Sequence, residues 1–144
     1  MNLVNEMRIV MDSKSVNEGF SRVAVSSFIA CLDPNVEEIT DIKTAVSEAV
    51  TNAIVHGYKD SQGKIYITVS LFDNNIIRIK VRDKGVGIKD IDKAMQPLFT
   101  TAGSERAGLG FAVMESFMDK LRVSSKPGSG TTVCLEKKIW GKRI

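Results

Sequence analysis

Cysteine is scarce in this sequence of 144 residues, which contains only Cys31 and Cys134. The two cysteines lack the paired spacing of a zinc or redox site, and they are too few for a secreted disulfide framework. They indicate small, buried or half-buried residues in a reducing compartment. No apolar run approaches the roughly 18 residues of a membrane-spanning helix, and the first residues lack the apolar core of a signal peptide. The sequence therefore predicts a cytoplasmic protein with no membrane partner.

An excess of charge of one sign is also missing. Lysine and arginine number 20 against 17 acidic residues, so the formal net charge is only +3. Because both signs are interspersed, this excess is too small to predict a nucleic-acid surface, and we expect no direct nucleic-acid partner. With 43% hydrophobic residues, the chain can bury a core without disulfides or metal. We expect a single domain over residues 1–144.

Hydrophobic periodicity predicts the secondary structure. Helices are expected from about residue 15 to 31, opened by a capping box at Ser15–Glu18, and from about residue 34 to 56, ending at Gly57. A third helix follows Gly110. Strands are expected at residues 7–11, 65–71, 77–81, 121–123 and 131–137. This order predicts an α+β fold, a two-layer sandwich in which helices cover one face of a mostly antiparallel mixed sheet.

The second helix carries polar residues beside its apolar face. Glu48, Asn52 and His56 follow one another at four-residue steps, so they form a stripe along the helix. A solvated helix face is the ordinary explanation of such a stripe. A carboxylate and an amide one turn apart can also serve one site together.

Two glycine motifs follow later in the chain. Asp83-Lys84-Gly85-Val86-Gly87 ends a strand, where the glycines permit a tight loop or the close approach of a ligand. Gly108-Leu109-Gly110 opens a helix, where exposed N–H groups can bind an anion. An ordinary loop and a simple hinge explain either motif taken alone. The sequence contains no Walker motif and no protein-kinase signature, so a nucleotide would require another architecture.

In combination, four motifs resemble the ATP-binding boxes of the gyrase/Hsp90/histidine-kinase/MutL superfamily. They are, in chain order, Glu48-x-x-x-Asn52, Asp83-x-Gly85-x-Gly87, Gly108-Leu109-Gly110 and Gly130-Thr131-Thr132. More narrowly, Ser47–Ala53, His56-Gly57-Tyr58 and Gln96–Thr101 resemble the small anti-sigma factor serine kinases of spore-forming bacteria. The resemblance covers nearly the whole chain. It departs after Thr101, where Ala102-Gly103-Ser104 replaces a segment that often begins with Lys-Pro.

The resemblance implies ATP and Mg²⁺ as cofactors and a role for each motif. Asn52 would be the metal ligand and Glu48 the catalytic base that accepts the proton of a serine hydroxyl. The remaining residues would bind the nucleotide. Asp83 would accept a hydrogen bond from the adenine amine, Gly85 and Gly87 would wrap the base, and Thr131 or Thr132 would line its pocket. Gly108, Leu109 and Gly110 would lie along the phosphates, and Arg106 could reach the γ-phosphate, although a solvated side chain is the more ordinary reading.

The function that the resemblance implies combines binding with catalysis. The protein would sequester a sporulation sigma factor and phosphorylate a serine of an anti-anti-sigma factor, as a homodimer. One alternative is a nucleotide-dependent sigma-binding module without kinase turnover. Another is a detached histidine-kinase ATPase domain, which the Glu-Ala-Val-Thr-Asn form of the helix motif disfavours.

Overall fold

The computed structural model describes residues 1–59, 61–95 and 105–141, with the backbone alone for residues 105–109. Four α-helices and five strands make up this part of the chain. They are β1 (Leu3–Asp12), α1 (Val16–Ile29), α2 (Val36–Asn52), β2 (Lys64–Phe72), β3 (Ile76–Asp83), α3 (Ile91–Ala94), α4 (Glu105–Phe117), β4 (Lys120–Lys126) and β5 (Gly130–Lys138). A 3₁₀ turn, Ala30–Leu32, follows α1, and a π-helical turn, Ala53–Gly57, follows α2.

The strands form one five-stranded sheet in the order β1-β2-β3-β5-β4. Every neighbouring pair in this sheet is antiparallel. The predicted α+β sandwich is thereby confirmed, although the described sheet is antiparallel throughout where a mixed sheet was expected. Its register sets Asp83, the last residue of β3, between Ile65 of β2 and Thr131 of β5.

The core lies between the helices and one face of the sheet. Odd-numbered residues of β2 and β3 point into it, with Ile67, Ile77 and Ile79 at most 1% exposed. The apolar face of α2 covers them, and Ile42, Val46 and Val50 are fully buried. The buried residues recur at every second position in β2 and β3 and at about every 3.6 positions in α2, as the hydrophobic pattern of the sequence predicts. None of the described helices is long and apolar enough to span a membrane.

The capping box predicted at the start of α1 is wrong. Ser15 makes no side-chain cap hydrogen bond, because its backbone is helical and the Glu18 N–H bonds to the Ser15 carbonyl at 3.2 Å. The Glu18 carboxylate contacts the Arg22 guanidinium and the hydroxyl of Ser47, and the contact with Ser47 joins α1 to α2. A capping box occurs instead at the start of α2, where Asn35 and Glu38 bond reciprocally to each other's backbone N–H at 2.8 and 2.9 Å.

The second helix is shorter than predicted at both ends. It begins after Asn35, because Asn35 has the extended backbone of an N-cap, with φ −76° and ψ 171°, and lies outside the helix. Its α-helical part ends at Asn52, and the π turn continues the chain to Gly57, where Tyr58 N–H bonds to the Ala53 carbonyl at 3.0 Å. Gly57 is therefore the end of a π turn.

Candidate functional site

Glu48 and Asn52 stand one turn apart at the end of α2. The helix is oriented by its apolar face, so Asn52, at 8% exposure, enters the protein beside the core, while Glu48 remains half-buried. Among the residues that the structure describes, neither the Oδ1 nor the Nδ2 atom of Asn52 has a hydrogen-bond partner. A buried amide without partners costs about 1 to 3 kcal/mol. Such a group indicates a site for something that supplies the missing partners.

The backbone of Gly110 in α4 faces this amide. A Cβ atom at Gly110 would lie 3.2 Å from Oδ1 and Nδ2 of Asn52 and 3.2 Å from Oε2 of Glu48. Glycine thus lets α4 approach α2 closely at the point where the carboxylate and the amide meet. The first and third of the sequence motifs are thereby brought together.

The predicted role of Gly110 as an open helix start needs correction. Helix α4 begins at Glu105, so Gly108 and Gly110 are its fourth and sixth residues. The free N–H groups of a helix are those of its N-cap residue and its first three helical residues, and later ones bond within the helix. The N–H groups of Gly108 and Gly110 therefore both lie beyond the free ones, and Gly110 provides space. Nothing is described of the side chains of Arg106 and Leu109, and Gln96–Thr101 lies outside the described residues.

Asp83 is a buried carboxylate at the opposite side of the π turn. It is 5% exposed, and its Oδ1 accepts a hydrogen bond from the Gly85 N–H at 2.9 Å. Burial raises the pKa of Asp83 above its ordinary value, against the opposing effect of the backbone N–H groups of Gly85 and Thr131. A buried carboxylate with a raised pKa in a concave site is typical of a functional group.

The π turn brings Gly57 against Asp83. A Cβ at Gly57 would lie 2.7 Å from Cγ and Oδ2 of Asp83. Its carbonyl accepts the N–H of Val86 at 2.9 Å, which holds the loop after β3 against the end of α2. The sequence indicated Gly57 as a helix stop and as part of the resemblance at His56-Gly57-Tyr58, without a contact assigned to it. Gly57, which has no side chain, contacts Asp83 because the π turn is wider than an α-helical turn, and no sequence motif predicted this turn.

The loop after β3 is also held from the other side. Gly87 has a φ of +76°, and a Cβ there would lie 2.1 Å from the Lys126 carbonyl, so a residue with a side chain would be strained and would collide. Gly128 N–H bonds to the Val86 carbonyl at 2.7 Å. The glycines of this motif are thus required by the packing of the loop between the π turn and the β4–β5 turn.

The threonines of the last motif point in opposite directions. Thr131 is 8% exposed on the helix side of β5, the side of the Asp83 carboxylate, and its hydroxyl lies 2.8 Å from the Ser125 hydroxyl. Ser125 also accepts the Ile88 N–H at 2.7 Å. Thr132 lies opposite Arg82 on the uncovered side. Of the two predicted residues only Thr131 shares the side of Asp83, and Ser125 is a site residue that the sequence did not indicate.

These positions form one continuous site. The π turn Ala53–Gly57 directly follows Asn52 and ends at Gly57. The group of Glu48, Asn52 and Gly110 and the pair of Asp83 and Gly57 therefore flank the end of the same helix. The side chains of the Glu48–Asn52–Gly110 group supply oxygen atoms, which are the ligands that Mg²⁺ prefers, including when it is bound to phosphate. Among the described residues, no cluster of three or more His, Cys, Asp or Glu side chains could hold a metal alone. A metal here would therefore need a ligand that brings further oxygens.

Comparison with known families identifies an ATPase domain. Residues 14–137 match the family described as the histidine kinase-like ATPase domain. The chain is 54% identical over 137 residues to a protein named anti-sigma F factor from Bacillus licheniformis, covering 94% of this chain and 93% of that protein. Proteins of the same name from Bacillus subtilis strain 168 and Clostridium perfringens strain SM101 are each 52% identical, covering 93% and 97% of their lengths and 94% of this chain.

Solved structures share the fold at lower identity. A crystal structure of the RsbU and RsbW domains of a Mycobacterium tuberculosis protein superposes with a TM-score of 0.71 at 22% identity, covering 98% of this chain and 35% of that one. The histidine kinase domain of a blue-light activated kinase from Erythrobacter litoralis gives a TM-score of 0.54 at 22% identity, over 85% of this chain and 61% of that one. The resemblance inferred from the motifs is confirmed, and the chain belongs to the histidine kinase-like ATPase domain family and, within it, to the anti-sigma F factors.

Proposed function

We propose that this chain binds ATP with Mg²⁺ at the end of α2 and transfers the γ-phosphate to a serine of an anti-anti-sigma protein. The observation that carries the proposal is the buried amide of Asn52, which has no described partner and faces Gly110 beside the Glu48 carboxylate. Membership of an ATPase-domain family supports ATP as the nucleotide. The proposed site has one side for the adenine base, called the base side, and one for the phosphates, called the phosphate side.

The base side is formed by Asp83 and the loop that follows it. The carboxylate is buried and fixed by Gly85, so it is oriented to accept a hydrogen bond from an exocyclic amine such as that of adenine. Guanine offers a carbonyl at that position, which a carboxylate would repel. Thr131 borders the same side, and the lack of a side chain at Gly57 lets the π turn pack directly against the carboxylate.

The phosphate side is formed by Asn52 and α4. The Oδ1 atom of Asn52 would ligate Mg²⁺, which prefers oxygen ligands and takes most of the others from phosphates and water. The bound metal would neutralise the charge that develops on the phosphates. The free N–H groups at the start of α4, which begins at Glu105, would donate to a phosphate oxygen. Gly110 keeps the contact between the two helices free of a side chain.

Glu48 would act as the general base. Its carboxylate lies beside Asn52 and remains half-buried, so a hydroxyl from another protein can reach it. Glu48 would accept the proton of a serine hydroxyl while the serine oxygen bonds to the γ-phosphorus and the bond from that phosphorus to ADP breaks.

The regulatory part of the proposal comes from the relatives. They are named anti-sigma F factors, and we propose that this chain likewise holds a sporulation sigma factor away from RNA polymerase. We further propose a homodimer, in which two protomers share one sigma chain. Sedimentation equilibrium should give twice the 15.8 kDa chain mass. A single species at the chain mass would contradict the dimer without affecting the kinase.

The kinase is tested by separating binding from chemistry. Glu48→Gln should bind Mg-ATP as the wild type does and phosphorylate an anti-anti-sigma protein about a hundred- to ten-thousand-fold more slowly, the usual contribution of a general base. Asn52→Ala should weaken binding of ATP in the presence of Mg²⁺ and leave its metal-free binding nearly unchanged. Equal phosphorylation rates for Glu48→Gln and wild type would contradict the role of Glu48 as the base, and no phosphorylation by the wild type would leave a binding module without kinase turnover.

A further inference from the structure

Most polar residues of the sheet lie on the face that the helices leave uncovered. In β3, strand alternation buries Ile79 and Val81 in the core and exposes Lys80 and Arg82 on the other side. A solvated face is the ordinary fate of such residues. The distribution of charge on this face, however, is uneven.

Two cross-strand rows of this face contain cations and no carboxylate. The register aligns Arg8, Thr68, Lys80, Cys134 and Arg122 in one row. The next row consists of Val10, Tyr66, Arg82, Thr132 and Ser124. Because neighbouring strands lie about 4.8 Å apart and the rows about 6.7 Å, the backbones of Lys80, Arg82 and Arg122 fall within roughly 12 Å of one another.

Two arginines of this face are neutralised, whereas Lys80, Arg82 and Arg122 are not. Arg78 pairs with Glu136 at 3.5 Å and Arg8 with Glu6 at 3.1 Å. Lys80, Arg82 and Arg122 form no ion pair with any residue in the described ranges. Like charges left close together without counter-charges raise the local positive potential and attract anions.

A cleft of about 840 Å³ lies over these rows. Lys80, Arg82 and Lys126 line it together with the hydroxyl residues Thr68, Thr132 and Ser124. Asp83, Thr131 and Ser125 of the candidate site also border it. Asp83 and Thr131 are only 5% and 8% exposed and their side chains lie on the helix side of the sheet, where the Ser125 hydroxyl meets that of Thr131. Guanidinium and ammonium groups combined with hydroxyl donors match the oxygens of phosphate groups.

The size and composition of the cleft favour a small ligand. Its volume lies within the roughly 300 to 1,000 Å³ of small-molecule sites. Single-stranded nucleic acid is usually bound by aromatic side chains that stack on its bases, and the ring of Tyr66, the aromatic residue among the lining, is already covered by the Lys84 ammonium at 4.9 Å. A second copy of this face would bring like charges together. We propose that the cleft binds a small polyanion carrying two or more phosphate groups, at a site separate from that of ATP.

The test titrates the nucleotide-free protein in a chelator with inorganic tripolyphosphate and follows amide chemical shifts by NMR. Saturable shifts are expected at Thr68 and Thr132, on the uncovered face, ahead of any at Gly110. Lys80→Glu/Arg82→Glu should weaken the binding at least tenfold. Lys14→Glu/Lys43→Glu changes the net charge equally at positions outside the cleft and should retain the wild-type affinity. Lys80→Gln/Arg82→Gln serves if the charge-reversed variant does not fold.

Three results would overturn the proposal. One is the absence of saturable shifts on the uncovered face, and another is an equal loss of affinity in the control pair, which would reduce the effect to net charge. The third is tighter binding of hexaglutamate or of a short DNA duplex than of tripolyphosphate at the same residues. That result would make the cleft a surface for an acidic protein or for nucleic acid.

Discussion

At the scale of single residues, Asp83 and Asn52 are the two groups that the fold buries at a cost. A buried carboxylate without a cation and a buried amide without described partners both oppose folding. Natural proteins retain such groups where a ligand uses them, because stability and function are separate demands.

Asp83→Asn should weaken ATP binding by about 1.5 to 3 kcal/mol, the range for hydrogen bonds to charged groups. The amide can turn its own donor towards the adenine amine, where an acceptor is needed. Titration with a fluorescent ATP analogue measures the effect, and circular dichroism checks that the fold is retained. Unchanged affinity in a folded variant would remove Asp83 from the base site.

The same substitution should change how stability depends on pH. Burial raises the folded-state pKa of Asp83 above the unfolded value of about 3.9. As pH rises past that unfolded value, the unfolded chain ionises first, so wild-type stability falls until the pH exceeds the folded pKa. Asp83→Asn lacks this loss. Urea unfolding at several pH values should show the stability of wild type falling relative to the variant across this window and a constant difference above it. A difference that does not depend on pH would contradict the raised pKa.

At the scale of elements, α2 organises the site through its two ends. Its last residue, Asn52, passes into the π turn, whose wider winding aims Gly57 at Asp83. Its first turn is tied to the end of the chain by Glu38, which is 7% exposed. The Glu38 carboxylate accepts the N–H groups of Trp140 at 2.7 Å and Gly141 at 3.2 Å in addition to that of Asn35.

Glu38→Ala should therefore lower the free energy of unfolding by about 1.5 to 3 kcal/mol, because backbone donors at three positions lose a charged acceptor. Glu37→Ala is the matched control. Glu37 is exposed in the same helical turn, and its loss should cost about 0.3 to 1 kcal/mol through the helix dipole alone. Urea denaturation of both variants gives the difference. Equal losses would mean that the contacts to Trp140 and Gly141 add nothing to the helix-dipole effect.

At the scale of the whole molecule, the segment between residues 89 and 107 connects the two sides of the site. It leaves from the loop that holds Asp83 and returns through α4, whose Gly110 contacts Glu48 and Asn52. We expect a γ-phosphate bound beside α4 to affect this helix where ADP does not. We therefore expect the surface beside the site to differ between the two nucleotide states.

The sigma factor should consequently bind more tightly to the ATP-loaded protein than to the ADP-loaded protein. A coupling of about 1 to 3 kcal/mol corresponds to a difference of roughly 5- to 150-fold. Calorimetry of the sigma factor against protein loaded with a non-hydrolysable ATP analogue, and then with ADP, measures it. Identical affinities would exclude a switching role, since a ligand that binds two states equally shifts neither.

Local patterns in the sequence determined the composition of the layers and the order of the motifs. Alternation in β2 and β3 and the three-to-four-residue spacing in α2 are local consequences of side-chain direction, so they are readable without the fold. The pairing of Glu48 with Asn52 is local for the same reason. The family resemblance, which rests on four ordered motifs, was readable as well.

The tertiary structure alone decided how these motifs meet. The π turn and the contact of Gly57 with Asp83 depend on the packing of α2 against β3, and Ser125 became a site residue because two turns converge on its hydroxyl. Helix α4 places Gly110 as a spacer, and strand alternation separates Thr131 from Thr132. The cation rows exist only once β1, β2, β3, β5 and β4 lie in that order. Contacts between residues far apart in sequence carry no periodic signal, and for that physical reason they had to come from the fold.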